Sequence, residues 1–250
     1  MTTLVFLHIP KTAGQTVHNA LVPAVGGSAH VSPIRVHSQA PKGPQMPAGF
    51  NLYSGHIDWT ELETLPEDRF VFTVLRDPRE RIASFFLYLY KEAQALPPAE
   101  LALPQNTGKR RVLEDSADAY FMGTTPGWQR FIKDHYDNFY CTYFATRLIR
   151  GSAQVEKLSQ EDLLVRAQAG LDLIDGVYST ADLGKLETDI EARLGQKISV
   201  TETYHNAGAI PRSEPRWPKL MALIERDETR ARLESFVQAD DILMQRLGMA

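Results

Sequence analysis

The chain has 250 residues, 43% hydrophobic and 23% charged, and 27 Lys+Arg against 31 Asp+Glu give a formal net charge of −4. A balance so near neutral excludes a protein whose main work is coating nucleic acid or an anionic membrane, so any anionic ligand must be held by a local arrangement. The single cysteine, Cys141, excludes an internal disulfide and reads as a small buried hydrophobe.

The length fits one α/β domain over residues 1–250. No run reaches the roughly 18 apolar residues of a membrane span, and the first residues lack the basic region and long apolar stretch of a signal peptide. The expectation is a cytoplasmic protein with neither membrane nor nucleic acid as partner; oligomeric state is not readable. Residues 4–9 form a short apolar run stopped by Pro10 and predict a buried strand of a parallel sheet. A helix follows over residues 14–22. Residues 23–49 hold five prolines (Pro23, Pro33, Pro41, Pro44, Pro47) and read as a long loop, with a short strand near residues 34–37. Residues 70–75, almost wholly β-branched or aromatic, predict a second strong strand, followed by a helix over residues 78–91. Residues 95–112 read as a polar loop carrying Lys109-Arg110-Arg111. Residues 113–150 are helical and dense in aromatics, among them Tyr120, Phe121, Trp128, Tyr136, Tyr140 and Phe144, which read as core or as an acceptor pocket. A helix over 161–171, a strand over 172–179 and a helix over 181–194 precede a loop at 199–217 and one or two final helices. Strands alternating with helices predict an α/β fold, a P-loop-like, mostly parallel sheet flanked by helices with a helical C-terminal part. Ligands of such sheets bind at the carboxyl ends of strands.

Two strand ends carry the chemistry. The first continues as Pro10-Lys11-Thr12-Ala13-Gly14-Gln15-Thr16, with a helix starting inside it. Open N–H groups at a helix N-terminus suit phosphate or sulfate, and Lys11 adds a full positive charge. Gly14 lets a ligand approach the backbone, while Thr12 and Thr16 offer hydroxyl donors. A Walker A loop is excluded because its glycines precede the lysine; an ordinary strand-to-helix turn is the alternative. The second strand continues as Arg76-Asp77-Pro78-Arg79-Glu80-Arg81. Asp77 is a good N-cap, Pro78 fits the first helical position and Glu80 completes a capping box. On a helical projection Arg81, Ser84 and Tyr88 form a polar stripe beside the apolar face of Ile82, Phe85, Phe86 and Leu89. Arg76 can point into the same crevice as Lys11, and an arginine fork beside a serine hydroxyl suits a second phosphate. Solvated arginines on a capped helix are the alternative. Between these strands, Tyr53-Ser54-Gly55-His56-Ile57-Asp58 offers His56 as a general base. Of His8, His18, His30, His37, His135 and His205, most read as structural or exposed.

Together these segments resemble the sulfotransferases that use 3′-phosphoadenosine 5′-phosphosulfate, especially the branch of heparan sulfate 2-O-sulfotransferase and its bacterial relatives. Residues 6–16 are similar to the 5′-phosphosulfate loop, residues 74–86 to the 3′-phosphate motif, and Ser54-Gly55-His56 falls where that branch has its Gly-His base. The resemblance implies that Lys11 contacts the sulfuryl group and the bridging oxygen, and that Lys11, Thr12, Ala13, Gly14, Gln15 and Thr16 form the 5′-phosphate loop. It implies Arg76 and Ser84 at the 3′-phosphate, and His56 deprotonating an acceptor hydroxyl for in-line attack. A sulfuryl group carries less charge than a phosphoryl group, so cationic side chains can serve without a metal. The implied product is adenosine 3′,5′-bisphosphate, and the implied acceptor is a hydroxyl-bearing glycan or other small molecule. Gln15 departs from the small residue common at its position, and Ser54 stands where the closest eukaryotic relatives have a second histidine. A late loop over the adenine would correspond to residues 205–213, with Asn206 or Arg212 on the nucleotide. Lys109-Arg110-Arg111 are either contacts to an anionic acceptor or a solvated charge run. Two other classes fit parts of the pattern: a Mg²⁺-dependent P-loop nucleotide kinase using Asp77 or Asp175, and a non-catalytic nucleotide- or glycan-binding module.

Overall fold

The computed structural model describes residues 2–204 and 214–249. Its four strands, β1 (Thr3–Leu7), β2 (Leu52–Gly55), β3 (Arg69–Leu75) and β4 (Gly176–Ser179), form one sheet in the order β2-β1-β3-β4. All pairings are parallel, with Val5 of β1 opposite Tyr53 on one side and Val71 on the other. All of β1 is buried because both faces are covered, which is why its sequence is a continuous apolar run. Leu4 and Phe6 face α1 (Gly14–Ala24) and the helix Gly184–Leu194, whereas Val5 and Leu7 face the helices Phe139–Thr146, Gln160–Leu171 and Gln238–Arg246. The sheet is thus a P-loop-like α/β layer, as the residue pattern predicts.

A second apolar cluster lies beyond the sheet, where Ile82, Phe86 and Leu89 of α2 (Pro78–Gln94) pack with Tyr120, Phe121 and Tyr136. These aromatics are core; Tyr120 and Tyr136 pair their hydroxyls at 2.9 Å inside it. The predicted polar loop over residues 95–112 is instead largely helical, with helices Pro98–Leu101 and Thr107–Glu114. The longer one buries little beyond Gly108 and Val112, too narrow a stripe to show as periodicity. Its basic cluster is paired with acids: Lys109 with Glu92 at 3.7 Å, Arg110 with Glu114 at 3.8 Å and Arg111 with Asp115 at 2.6 Å.

Two helix starts cap each other. Asp240 accepts the amides of Tyr140 at 3.1 Å and Cys141 at 2.9 Å, while Asn138 Oδ1 accepts those of Ala239 at 2.8 Å and Asp240 at 3.3 Å. Each side chain satisfies orphan N–H groups of the other's helix. The chain leaves β1 for β2 on one side and returns for β3 on the other. The carboxyl ends of β1 and β3 therefore flank the position where the winding reverses, the usual ligand crevice of an open parallel sheet.

Candidate active site

The turn after β1 holds Lys11 at φ 73° and Ala13 at φ 65°, both left-handed. Ala13 is the N-cap of α1 but makes no side-chain capping bond. The amides of residues 12–16 have no hydrogen-bond partner among the described residues. Alternating left- and right-handed residues create a concavity of N–H groups suited to an anion, and the α1 dipole adds to it. Thr12 is buried and its hydroxyl donates to the Ile9 carbonyl at 2.9 Å, so it braces the turn and presents its amide. Gln15 is exposed and donates to Asn19 Oδ1 at 2.7 Å; Thr16 is half-buried.

Lys11 lies over the Tyr88 ring of α2, its Nζ 3.9 Å from the centroid. Burial first, then Arg216 and Arg76, lower its pKa to about 8 against the opposing pull of Glu92. Arg76, on the turn after β3, donates to Glu80 Oε2 at 2.8 Å. The other Glu80 oxygen accepts the amides of Arg216 at 2.7 Å and Trp217 at 2.8 Å. The capping box is therefore only half formed: Asp77 accepts the Glu80 amide at 2.8 Å, but the Glu80 carboxylate is engaged with Arg76 and the C-terminal segment. Ser84 is buried, and its hydroxyl has no hydrogen-bond partner among the described residues.

Arg81 corrects the helical projection. It is 1% exposed, donates to the His135 carbonyl at 2.8 Å and lies 4.5 Å from the Phe139 ring centroid, so it belongs to the core and not to the crevice. Asp175 is also placed away from the crevice. It precedes β4, at the amino end of the sheet, and accepts the Val71 amide at 2.7 Å. With Asp77 spent on its cap, neither acid proposed for a kinase stands free at the crevice.

His56 follows β2. The segment at 35–37 runs beside it, with the His56 amide donating to the Arg35 carbonyl at 2.8 Å and the His37 amide donating to the His56 carbonyl at 2.7 Å. A Cβ on Gly55 would fall 2.3 Å from the Arg35 carbonyl oxygen, so only glycine permits this approach. His56 Nδ1 lies 2.7 Å from the His8 carbonyl oxygen. A carbonyl only accepts, so Nδ1 carries the proton and Nε2 keeps its lone pair, the tautomer a general base needs. Burial lowers the His56 pKa, opposed by that bond and reinforced by Arg35, His37 and Lys11. Ser54 is occupied differently: its hydroxyl meets His18 Nδ1 at 3.1 Å, and His18 Nε2 accepts from Arg35. His18 is therefore neutral, its pKa lowered to about 4 by burial and then Arg35.

Histidines read as structural from the sequence thus gather near His56, while His30 is exposed. The short strand read near residues 34–37 is reduced to a single parallel bridge between Val36 and His56, and its partner is what the sequence left open. Asn206 and Arg212 lie outside the described residues. Acid lability follows from this burial. His18 and His135 have pKa values lowered from 6.5 to about 4 and about 3, and His8 and His56 are lowered too, each chiefly by burial. The unfolded chain takes up these protons first, so their contribution to stability is full above pH 6.5 and is lost as pH falls below it. Asp240 opposes one histidine's share, its pKa raised from 3.8 to about 6 by burial. The melting temperature is expected to drop steeply between pH 6.5 and 4.5, and His135→Gln to flatten the drop; an unchanged melting temperature over that range refutes it.

A model of the sulfotransferase family matches residues 2–165, about two thirds of the chain. No curated protein matches the chain. The matched region carries the turn after β1, the strand ends and α2, and on that basis the chain belongs to the sulfotransferase family, enzymes that transfer a sulfuryl group.

Proposed function

We propose that the protein moves the sulfuryl group of 3′-phosphoadenosine 5′-phosphosulfate to an acceptor hydroxyl, with His56 as general base and cationic side chains balancing the charge. What carries this reading is that the end of β1 supplies both halves of such a site. It presents Lys11 with the unpartnered amides of residues 12–16, and the His8 carbonyl that leaves His56 Nε2 basic. The excess of cations around Lys11 fits a polyanionic donor.

When bound, the donor supplies an activated sulfuryl group and a bisphosphate leaving group. His56 takes the acceptor proton at Nε2 while the acceptor oxygen bonds to sulfur. As the sulfur–oxygen bond to the 5′-phosphate breaks, its electron pair stays on the phosphate oxygen, where Lys11 and the open amides meet the developing charge. Arg76 and Ser84 hold the 3′-phosphate. The resemblance to heparan sulfate 2-O-sulfotransferase makes glycans the first acceptors to test.

Thermal-shift measurements with adenosine 3′,5′-bisphosphate, ATP and GDP test the donor class. The bisphosphate is expected to stabilise the fold selectively, by about 2.7 kcal/mol at a hundredfold excess over its Kd. Selective stabilisation by ATP with Mg²⁺ overturns the reading in favour of phosphoryl transfer. Affinity for the bisphosphate is also expected to weaken as pH rises through about 8, because Lys11 then loses its charge. Calorimetry at pH 7 and pH 9 checks this, and the dependence should vanish in Lys11→Ala.

A further inference from the structure

We propose that the imidazole of His8 is a positioning residue, a plate wedged between the phosphate loop and His56 that fixes the base relative to the donor. The proposal rests on the reading of His56 as the base. His8 follows β1 directly and is 8% exposed. Its ring stacks on Phe6 with centroids 5.4 Å apart and planes 8° from parallel, and it meets the His56 ring at 4.1 Å. Its edge also fills the space above the first residue of α1: a Cβ added at Gly14 would lie 1.6 Å from His8 Nε2. The carbonyl of the same residue holds His56 Nδ1 at 2.7 Å. One residue thus touches the donor loop through its ring, and the base through both ring and carbonyl. Neither ring nitrogen is hydrogen-bonded to a described residue, so the ring acts here by shape.

The electrostatics agree with a neutral plate. Burial comes first, and then His56, Arg35, His18 and Lys11 all disfavour a charge on His8. His56 itself is faced by Lys11 from the phosphate loop, by Arg35 and His37 from the segment beside β2, by His8 from β1, and by His135 from the helix Pro126–Tyr136. Its largest perturbation is burial, and the His8 ring is part of what buries it.

The experiment pairs His8→Ala and His8→Phe with Gly14→Ala. By NMR titration the His56 midpoint is expected to rise toward 6.5 in His8→Ala, where water replaces the ring, and to stay low in His8→Phe. With the base loosened, kcat in His8→Ala should fall by about tenfold to a hundredfold, with the bisphosphate Kd changed by less than about threefold. His8→Phe should restore most of that rate. Gly14→Ala should abolish bisphosphate binding in the wild-type background but be better tolerated with His8→Ala, because the ring atoms that the methyl strikes most closely are then gone. An unchanged His56 midpoint and rate in folded His8→Ala overturns the proposal, as does a Gly14→Ala penalty that is the same with and without the ring. If His8→Ala does not fold, a rate in folded His8→Phe that stays more than about tenfold below wild type overturns the plate role, and a near-wild-type rate supports it. The His56 titration needs neither donor nor sulfuryl transfer, so it stays decisive if the sulfotransferase reading fails, whereas the Gly14 pair is read only where the bisphosphate binds the wild-type chain.

Discussion

His56→Ala is expected to lower kcat by about 10²- to 10⁴-fold, the usual worth of a general base, and to leave affinity for adenosine 3′,5′-bisphosphate nearly unchanged. The separation follows from placement. His56 sits after β2 and is anchored by the His8 carbonyl, whereas the proposed phosphate contacts lie on the turn after β1 and at Arg76. The pH profile should carry the same signature. Because burial lowers the His56 pKa, the base stays deprotonated below pH 6.5, so kcat/KM should hold to more acidic pH than an ordinary histidine allows. This acidic limb should be absent from the residual activity of His56→Ala. Full turnover in that variant, with an unaltered profile, removes His56 from the mechanism.

Arg76→Ala should weaken bisphosphate binding by about 1.5 to 3 kcal/mol, the range for a hydrogen bond to a charged group. Part of that loss has a second source. Arg76 is the side-chain partner of Glu80, whose carboxylate also holds the amides of Arg216 and Trp217. Without Arg76 this carboxylate loses the guanidinium it pairs with and faces the anion more directly. Arg76→Ala combined with Glu80→Gln should therefore bind more tightly than Arg76→Ala alone, while kcat at saturating donor stays near wild type in both. Isothermal calorimetry measures the affinities directly; an unchanged Kd in Arg76→Ala removes it from the 3′-phosphate site.

The strands and the turn after β1 were legible because a parallel sheet covered on both faces forces continuous apolar runs. Each of these runs also ends in residues whose backbone chemistry is local: Lys11 to Gly14 after β1, Asp77 and Pro78 after β3. What stayed hidden depends on neighbours distant in sequence. A helical projection gives the angle of Arg81 but not that Phe139 waits there. The spacing of Asp77 and Glu80 fits a capping box equally well whether or not Arg76 and the backbone at 216–217 claim the carboxylate. The gathering of His8, His18 and Arg35 depends on where the short segment near residues 34–37 pairs, a long-range choice that its own residues do not specify. The helix Thr107–Glu114 was missed for the opposite reason, since its buried stripe is too thin to mark it.

The reciprocal caps of Asn138 and Asp240 bear on how the molecule can be divided. The family match ends at residue 165, yet the helix Phe139–Thr146 inside it borrows its N-terminal acceptor from Asp240. The helix Gln238–Arg246 also lays Ala239, Leu243 and Met244 into the cluster that covers one face of the sheet. A fragment cut at the homology boundary would lose both, baring amides and apolar surface together. Evolutionary similarity and mechanical integrity thus end at different residues of this chain.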